Sequence, residues 1–245
     1  MIVLAFDSSL NALSVAVVRR RQDAPLISEA WEARTGHAER LLEMIGEVMV
    51  EAGVAFSALD RIAVTVGPGS FTGVRVGVAA ARGLALALRR PAIGFTNLAV
   101  MAHEAARLLG AHAGRLLGVA IDARDGANYF QLFEGENAAS PPLLLAADAA
   151  AAVIGRRHVV LVGSGADAVA AAVAAAGGEG ETALRDLLPR APALASLAEA
   201  AAAQDPVLPL YLRPHGAKPP TRAEATEEGP SLPSEAASGG APAAS

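Results

Sequence analysis

Apolar positions in this chain fall either in short continuous runs or in stretches with helical spacing. The runs at 2–6 and 12–18 are rich in β-branched residues and flank the polar stretch 7–11, which predicts a hairpin of two strands. Over 37–52 the apolar residues recur every three or four positions, so a helix is expected there, ending near Gly53. The chain therefore opens as the beginning of an α/β unit.

A glycine-rich segment follows the next predicted strand. The apolar run 62–66 predicts a buried strand, and a helix is expected over 73–89, stopping before Pro91. The segment 67–73 between them, GPGSFTG, would expose backbone N–H groups at a helix N-terminus, where anions bind. It lacks the Lys-Ser/Thr of a Walker A loop and the third glycine of GxGxxG. Two interpretations stay open, a phosphate cradle and a tight strand-to-helix connection.

The second half of the chain begins with the same pattern. Apolar runs at 116–121 and 127–133 flank Asp125-Gly126, a strong hairpin signal. A further strand at 158–162 leads through a short glycine segment into an alanine-rich helix. The second half is thus predicted to repeat the hairpin and the strand–helix unit of the first half.

This repeat predicts two α/β lobes, over 1–100 and 101–213, with Asp7 and Asp122 in matching polar turns. The last segment, 214–245, has six prolines, four glycines and one leucine, with no valine, isoleucine or phenylalanine. Such a composition cannot bury a core, so we expect a disordered tail.

Composition and charge narrow the functional classes. The chain has 245 residues, is 53% hydrophobic and carries a net charge of -5. Because phosphate neutralisation needs clustered Lys and Arg, this charge does not suggest a protein that binds nucleic acid without a partner. It contains no cysteine, which excludes disulfides, thiolate metal sites and a cysteine nucleophile. No uncharged apolar run reaches the ~18 residues of a membrane span, and the N-terminus lacks the basic flank of a signal peptide. We expect a cytoplasmic protein.

Candidate chemistry lies in the polar turns and the glycine segment. Asp7 could hold a metal-bound water beside a phosphate, as an aspartate does in phosphotransfer enzymes of this architecture, or it could close its own turn. The candidate nucleotide or phosphate site, regarded as vestigial, comprises Asp7, Ser9, Gly67, Gly69 and Ser70. The same two interpretations apply to Asp122, Arg124 and Asp125.

The histidines form no catalytic constellation. His37 is expected at a helix start, where a capping or surface role is common, and His103 and His112 are nine residues apart. No H-E-x-x-H, H-x-x-x-H or G-x-S-x-G motif occurs, so protease and esterase chemistry is not supported.

The two helices of the first lobe carry small and apolar stripes. One stripe could seat a partner subunit, and the small residues spaced by four would let a second helix approach closely. Packing within the domain is the alternative. We expect a symmetric, self-complementary interface of four helices. Its residues are Leu41, Ile45, Val48, Gly73, Gly77 and Ala81.

Five segments together resemble the TsaB (YeaZ) family, the dimerisation subunit of the machinery that makes threonylcarbamoyladenosine (t6A) in tRNA. GPGSFTGVRVG at 67–77 is the most specific, and LAFDSS at 4–9, HAERLL at 37–42, DAR at 122–124 and YLR at 211–213 agree in order and spacing. The family usually has threonine at the second position of the first turn and serine after the histidine; this chain has serine and alanine there.

The resemblance implies an actin, Hsp70 and sugar-kinase-like (ASKHA) α/β fold, with mixed sheets flanked by helices. It also implies a non-catalytic scaffold role in N6-threonylcarbamoylation of adenosine 37 in tRNAs that read ANN codons. The catalytic relative, TsaD, binds a metal through two histidines four residues apart. Those positions fall on Asn97 and Met101 here, so we expect no enzyme activity and no cofactor or metal of the chain's own.

The resemblance also implies partners. A TsaD-like catalytic subunit and a TsaE-like ATPase would handle ATP and metal, a homodimer is possible, and tRNA would be contacted mainly through the complex, without a membrane. The alternative is an active ATP-dependent phosphotransferase of the same fold, with Asp7 as its metal anchor. A metallopeptidase, suggested only by kinship of the fold, lacks the histidine pair.

Overall fold

The structure is a computed structural model that describes residues 1–19, 27–32, 36–110, 116–204 and 206–213. The side chains of 32 and 37–39 are outside this description. Met1–Arg213 form one compact unit. The predicted disordered tail, 214–245, lies outside the described residues.

The elements of the first half are β1 Ile2–Asp7, β2 Ala12–Arg19, β3 Ile27–Glu32, α1 His37–Glu51, β4 Arg61–Thr65, α2 Phe71–Leu88, β5 Ala92–Phe95 and α3 Asn97–Leu109. Of these, β1, β2, α1, β4 and α2 begin close to where the apolar pattern predicts them. A short 3-10 turn, Phe56–Ala58, precedes β4.

The second half contains shorter elements. They are β6 Leu116–Asp122, β7 Ala127–Glu134, β8 Asn137–Ala138, β9 Leu143–Ala146, α4 Ala147–Ile154, β10 His158–Val162, α5 Ala166–Ala175, β11 Glu179–Ala183 and α6 Ala191–Ala200.

Two mixed sheets repeat one topology. In the first sheet, with the order β3-β2-β1-β4-β5, the hairpin β1–β2 is antiparallel and β4 and β5 follow parallel to β1. In the second sheet, β6–β7 is the antiparallel hairpin, and β10 and β11 follow parallel to β6. Two mixed sheets flanked by helices confirm the predicted fold class.

The helices lie on both faces of each sheet, which explains the continuous apolar runs of the central strands. Side chains alternate along β1: Leu4 and Phe6 pack with α1 and α2, and Val3 and Ala5 face α6. In the second sheet, α4 and α5 cover one face and α3 covers the other. Helix α3 contributes Val100 to the core of the first sheet and Met101 to that of the second.

The last part of the compact unit returns to the first sheet. Helix α6, which the sequence assigns to the second lobe, packs on β1 and β2, and Arg61 of β4 donates hydrogen bonds to the carbonyls of Ala198, Glu199 and Ala201. The predicted boundary between residues 100 and 101 therefore stays a prediction. Residues from both sides of this boundary pack with the first sheet, because α6 lies against β1 and β2.

Helix α2 begins and ends with clear capping. Ser70 is its N-cap, and its hydroxyl oxygen accepts from the backbone N–H of Gly73 at 3.3 Å. Arg89 forms the C-cap in the left-handed region, with φ 53°, and Arg90 N–H donates to the carbonyl of Ala85 at 3.1 Å.

Within the described residues, α2 alone is long and apolar enough to cross a membrane, although only 28% of it is buried. A single helix of this kind is weak evidence for a membrane span. Its low burial does show that much of the apolar surface of α2 lies outside the core.

Candidate functional site

The candidate site is built around Asp7, where β1 ends beside β4. Asp7 is only 1% exposed. One of its carboxylate oxygens, Oδ1, accepts from the Ser9 backbone N–H at 3.2 Å and from the hydroxyls of Ser9 and Thr65. Thr65 follows the last residue pair that joins β1 to β4, so the parallel register sets its hydroxyl against the aspartate. The carboxylate thus closes its own turn and ties two strands together.

Sequence reasoning missed Thr65. The signal was present, because Thr65 is the polar residue that ends the apolar run of β4. Parallel strands that start in register bring their carboxyl ends to one edge of the sheet, so an aspartate that ends β1 and a threonine that ends β4 become neighbours. To predict the contact between Thr65 and Asp7, one must know that β1 pairs with β4, and the apolar pattern of one strand does not contain that information.

The glycine segment covers the turn at backbone contact distance. A Cβ atom on Gly69 would lie 2.3 Å from the Ser9 carbonyl oxygen, and one on Gly73 would lie 2.0 Å from that of Ser8. Ser70 N–H donates to the Ser9 carbonyl at 2.7 Å, and the Ser8 hydroxyl donates to the Gly73 carbonyl at 2.8 Å. These glycines are required because two backbones pack together. The contacts favour the tight connection over a phosphate cradle.

Gly67 serves a different contact. Its φ is +102°, and a Cβ atom there would lie 2.8 Å from the carbonyl oxygen of Leu210. Leu210 N–H donates to the Val66 carbonyl at 2.7 Å, so the C-terminal residues of the unit lie directly on this strand end. The structure therefore brings all five predicted site residues together, and internal contacts hold them.

Asn97, the first residue of α3, completes the cluster. It is fully buried, and its amide nitrogen donates to the Ser9 hydroxyl oxygen at 2.7 Å and to the Pro68 carbonyl at 2.8 Å. Its backbone N–H donates to the Gly67 carbonyl at 2.9 Å. Its side-chain oxygen has no hydrogen-bond partner among the described residues. Asn97 thereby joins the first turn, the glycine segment and α3.

Met101 lies one helical turn further along α3. It is 1% exposed and belongs to an apolar cluster with Leu117, Val119 and Phe133 of the second sheet. Its terminal methyl would be 3.0 Å from a Cβ atom placed on Gly163. Met101 is a packing residue between α3 and the second sheet.

The matching turn of the second sheet is open to solvent. Asp122 accepts from Arg124 N–H at 2.8 Å, and its own N–H donates to the Ser164 hydroxyl at 3.0 Å. Asp125 pairs with Arg213 at 3.3 Å, and both side chains are exposed. Among the described residues, no glycine packs against this turn as Gly69 and Gly73 pack against the first.

The predicted interface stripes are buried within the chain, so their assignment to an exposed patch is wrong. Each stripe faces the first sheet, because that sheet presents a continuous apolar surface to both helices. Gly77 packs against the Ser8 side chain, where a Cβ atom would lie 2.7 Å from its hydroxyl oxygen. The buried residues are Leu41, Ile45, Val48, Gly73, Gly77 and Ala81.

The histidines stay apart in the described part of the chain. His103 Nδ1 lies 2.7 Å from Glu136 Oε1 in an exposed pair. The side chain of His37 and all of His112 lie outside the described residues. Among those described, no three His, Asp or Glu side chains gather as a metal site requires.

The fold and this closed turn define the chain as an α/β protein of two mixed sheets flanked by helices. The family model for TsaD, tRNA N6-adenosine threonylcarbamoyltransferase, matches residues 31–207. A solved Pseudomonas aeruginosa protein, described as uncharacterized with similarity to peptidase YeaZ, is 32% identical, with a TM-score of 0.72 over 86% of this chain and 99% of that one. YeaZ from Pseudomonas aeruginosa is 33% identical, with a TM-score of 0.67 over 81% of this chain and 91% of that one.

Relatives with the name TsaB agree. The tRNA threonylcarbamoyladenosine biosynthesis protein TsaB of Haemophilus influenzae is 39% identical over 138 residues, 56% of each chain. The Escherichia coli TsaB is 37% identical over 134 residues, 55% of each chain. The matched part of this chain thus spans about half the length of these curated relatives. The chain belongs to the TsaD family, in its TsaB (YeaZ) branch.

Proposed function

We propose that this chain is a non-catalytic assembly subunit in the threonylcarbamoylation of tRNA adenosine. The observation that carries the proposal is the structural use of Asn97 and Met101, the positions aligned with the metal-binding histidines of the catalytic relative. The Asn97 amide holds Ser9 and Pro68, and Met101 fills an apolar core. Both side chains stabilise the fold, and neither supplies the imidazole nitrogen through which the catalytic relative binds its metal.

A TsaD-like subunit would then supply the metal and the transfer chemistry, and a TsaE-like ATPase would supply ATP hydrolysis. The chain's net charge of -5 supports this division, because strong tRNA binding needs clustered cations that partners would provide. The cytoplasmic location expected from the sequence remains a prediction.

The surface for such a partner is the solvent side of α1 and α2, opposite the buried stripes. We define the α1–α2 surface by residues that are apolar or small and exposed: Leu42, Val50, Ala79, Gly83 and Leu86. Val50 and Leu86 are each 82% exposed, the largest values among the exposed large hydrophobic residues. Apolar residues concentrated in this way mark a protein contact site.

Charge on this surface is divided between its two helices. Helix α1 carries Glu43, Glu47 and Glu51 on its exposed side, and a hydrogen bond from Arg40 lowers the pKa of Glu47. Helix α2 has no acidic residue and carries two exposed arginines, Arg75 and Arg82. In a two-fold arrangement, α1 of each subunit can face α2 of the other, so opposite charges meet twice. The surface therefore suits a second copy of this chain, or a TsaD-like subunit with a related first lobe.

Reconstitution tests the proposed activity. The purified chain, alone and together with the TsaD-like and TsaE-like proteins of its source organism, is given tRNA, ATP and a threonylcarbamoyl donor system. We expect modified adenosine only when the partners are present, and a loss of product when this chain is left out. Modification by this chain alone would contradict the proposal.

Association is tested with one substitution on the α1–α2 surface. Val50→Asp places a charge where a partner would bury an apolar side chain, and its effect on folding should be small because Val50 is exposed. We expect sedimentation to show association with a second copy or the TsaD-like subunit weakened by at least about ten-fold. Leu108→Asp, at an exposed leucine on α3, is the matched control. Equal association of the two variants would show that the interface lies elsewhere.

A further inference from the structure

The end of α2 forms part of a cavity that includes Leu86 and Arg82 of the α1–α2 surface and continues to the start of β5. The cavity has a volume of about 720 Å³ and lies where α2, the start of β5 and residues 203, 204, 206 and 207 meet. Its walls include Leu86, Pro91 and Val207, and three arginines also line it: Arg82, Arg89 and Arg90. A volume of this size falls within the range of small-molecule sites, which combine apolar walls with a few polar groups.

The three arginines lack carboxylate partners in the described part of the chain. The Arg90 side chain donates to the Ser57 carbonyl at 3.2 Å, and the side chains of Arg82 and Arg89 have no hydrogen bond or ion pair with the described residues. Some arginines elsewhere pair with carboxylates, as Arg107 does with Glu104 and Arg185 with Asp167. Three cations around one cavity repel one another, and a bound anion would relieve that repulsion.

The backbone also favours a special role for Arg89. It holds the left-handed C-cap position, φ 53°, where glycine would meet no steric penalty. A cation at a helix C-terminus gains some stability from the helix dipole, which is a purely structural explanation. That explanation does not account for Arg82, which lies two turns earlier and lines the same cavity.

We propose that this cavity, which we name the α2–β5 pocket, binds a small organic anion with at least two negative charges on an apolar or aromatic body. The guanidinium groups would hold phosphate or carboxylate oxygens through charge-assisted hydrogen bonds. Leu86, Pro91 and Val207 would contact the body of the ligand. This site is distinct from the Asp7 turn. It shares Leu86 and Arg82 with the α1–α2 surface, but anion binding there does not require the proposed assembly role.

Calorimetric titration of the full chain tests the pocket with four probes. ADP and phenylsuccinate carry two or more charges on an aromatic body, pyrophosphate carries charge alone, and adenosine supplies a body alone. We expect ADP or phenylsuccinate to bind more tightly than pyrophosphate or adenosine, and to bind more weakly at higher salt. The tighter of the two identifies a phosphate or a carboxylate as the natural anion. Pyrophosphate binding as tight as that of the organic anions, or no binding by either of them, overturns the proposal.

Substitutions locate the site. Arg82→Ala and Arg89→Ala should each weaken binding of the tighter probe by at least about ten-fold, with cooperative thermal unfolding retained as the check on folding. Arg156→Ala removes the same charge from an exposed position in the second half of the chain and should leave affinity unchanged. Equal affinity in all three variants would place the probe elsewhere and overturn the proposal. A weakened self-association of Arg82→Ala with unchanged probe affinity would assign these cations to a protein interface instead.

One further variant examines the chain's own carboxylate. Asp205 lies between the lining residues Gln204 and Pro206 in sequence and is outside the described residues. Asp205→Asn should bind the probe at least as tightly as the natural chain, because it removes a negative charge that is adjacent in sequence to two lining residues. Probe binding that appears only in this variant would overturn the proposal for the natural chain.

Discussion

The polar turns of the two sheets share a sequence pattern but differ in environment. Asp7 is 1% exposed and its carboxylate oxygen accepts from three donors, whereas the Asp125 side chain is 83% exposed and pairs with one arginine. Both turns follow the first strand of a hairpin, and a glycine segment lies near each. The strand pattern therefore specified where the turns occur and left their burial undetermined.

The two turns differ in burial because each glycine segment packs against a different part of its hairpin. In the first sheet, the segment at 67–73 packs on the turn itself, through the carbonyls of Ser8 and Ser9. In the second sheet, Gly163 and Gly165 pack against the Ala120 carbonyl, two residues before the end of β6. A shift of this size leaves the second turn in solvent. A polar turn of similar sequence is therefore buried and links two strands in the first sheet, whereas it is an exposed loop in the second.

The largest expected effect is on the glycine that covers the first turn. Gly73→Ala would place a Cβ atom 2.0 Å from a backbone oxygen that cannot rotate away, so we expect the free energy of unfolding to fall by more than about 4 kcal/mol. Gly83→Ala, in the same helix with nothing within 4 Å, should instead stabilise by about 0.5–1 kcal/mol. Urea denaturation followed by circular dichroism measures both. A Gly73→Ala protein as stable as the natural chain would refute the close backbone contact.

The next largest effect is expected from Asp7, compared with Asp122 at the matching position of the second turn. Asp7→Ala would leave the buried hydroxyls of Ser9 and Thr65 without their shared acceptor, at a cost of about 2–3 kcal/mol. Asp122→Ala removes an exposed carboxylate and should cost less than about 1 kcal/mol. The same denaturation experiment compares them. Similar losses in the two variants would show that the turns are not energetically different.

A smaller effect is expected from the strand threonine. Thr65→Val keeps the shape of the side chain but removes the hydroxyl that donates to Asp7, so we expect a loss of about 1–1.5 kcal/mol. Thr72→Val, at an exposed position early in α2, is the matched control and should change the unfolding midpoint little. An unchanged midpoint in Thr65→Val would mean that the parallel register contributes no stabilising contact at this turn.

The smallest effect concerns the link to the second turn. Arg213 donates to the Ala123 carbonyl at 2.7 Å and pairs with Asp125 on an exposed surface. Arg213→Ala should therefore cost less than about 1 kcal/mol, and the effect should shrink further at high salt. Hydrogen exchange should become faster in the turn at 123–126 while the Asp7 turn keeps its protection. Equal changes at both turns would contradict their independence.

The interface stripes show where pattern reasoning failed. Spacing by four correctly placed Gly73, Gly77 and Ala81 on one face of α2, but it did not state which face is covered by the sheet. Helix α2 is apolar on more than one side, so its hydrophobic pattern did not distinguish a core face from a partner face. The exposed residues on its other side became visible only once the helix was packed.

The sequence by itself determined the repeated α/β elements, the family through its motifs, and the glycine segment as the defining feature of the first lobe. These are local properties: period, turn chemistry and residue order are contained in neighbouring positions. Only the tertiary structure decided that Asn97 would bind Ser9 and Pro68, that Thr65 would meet Asp7, and that α6 would return to the first sheet. Each of these depends on contacts between residues far apart in the chain, and such contacts follow from how the sheets and helices pack.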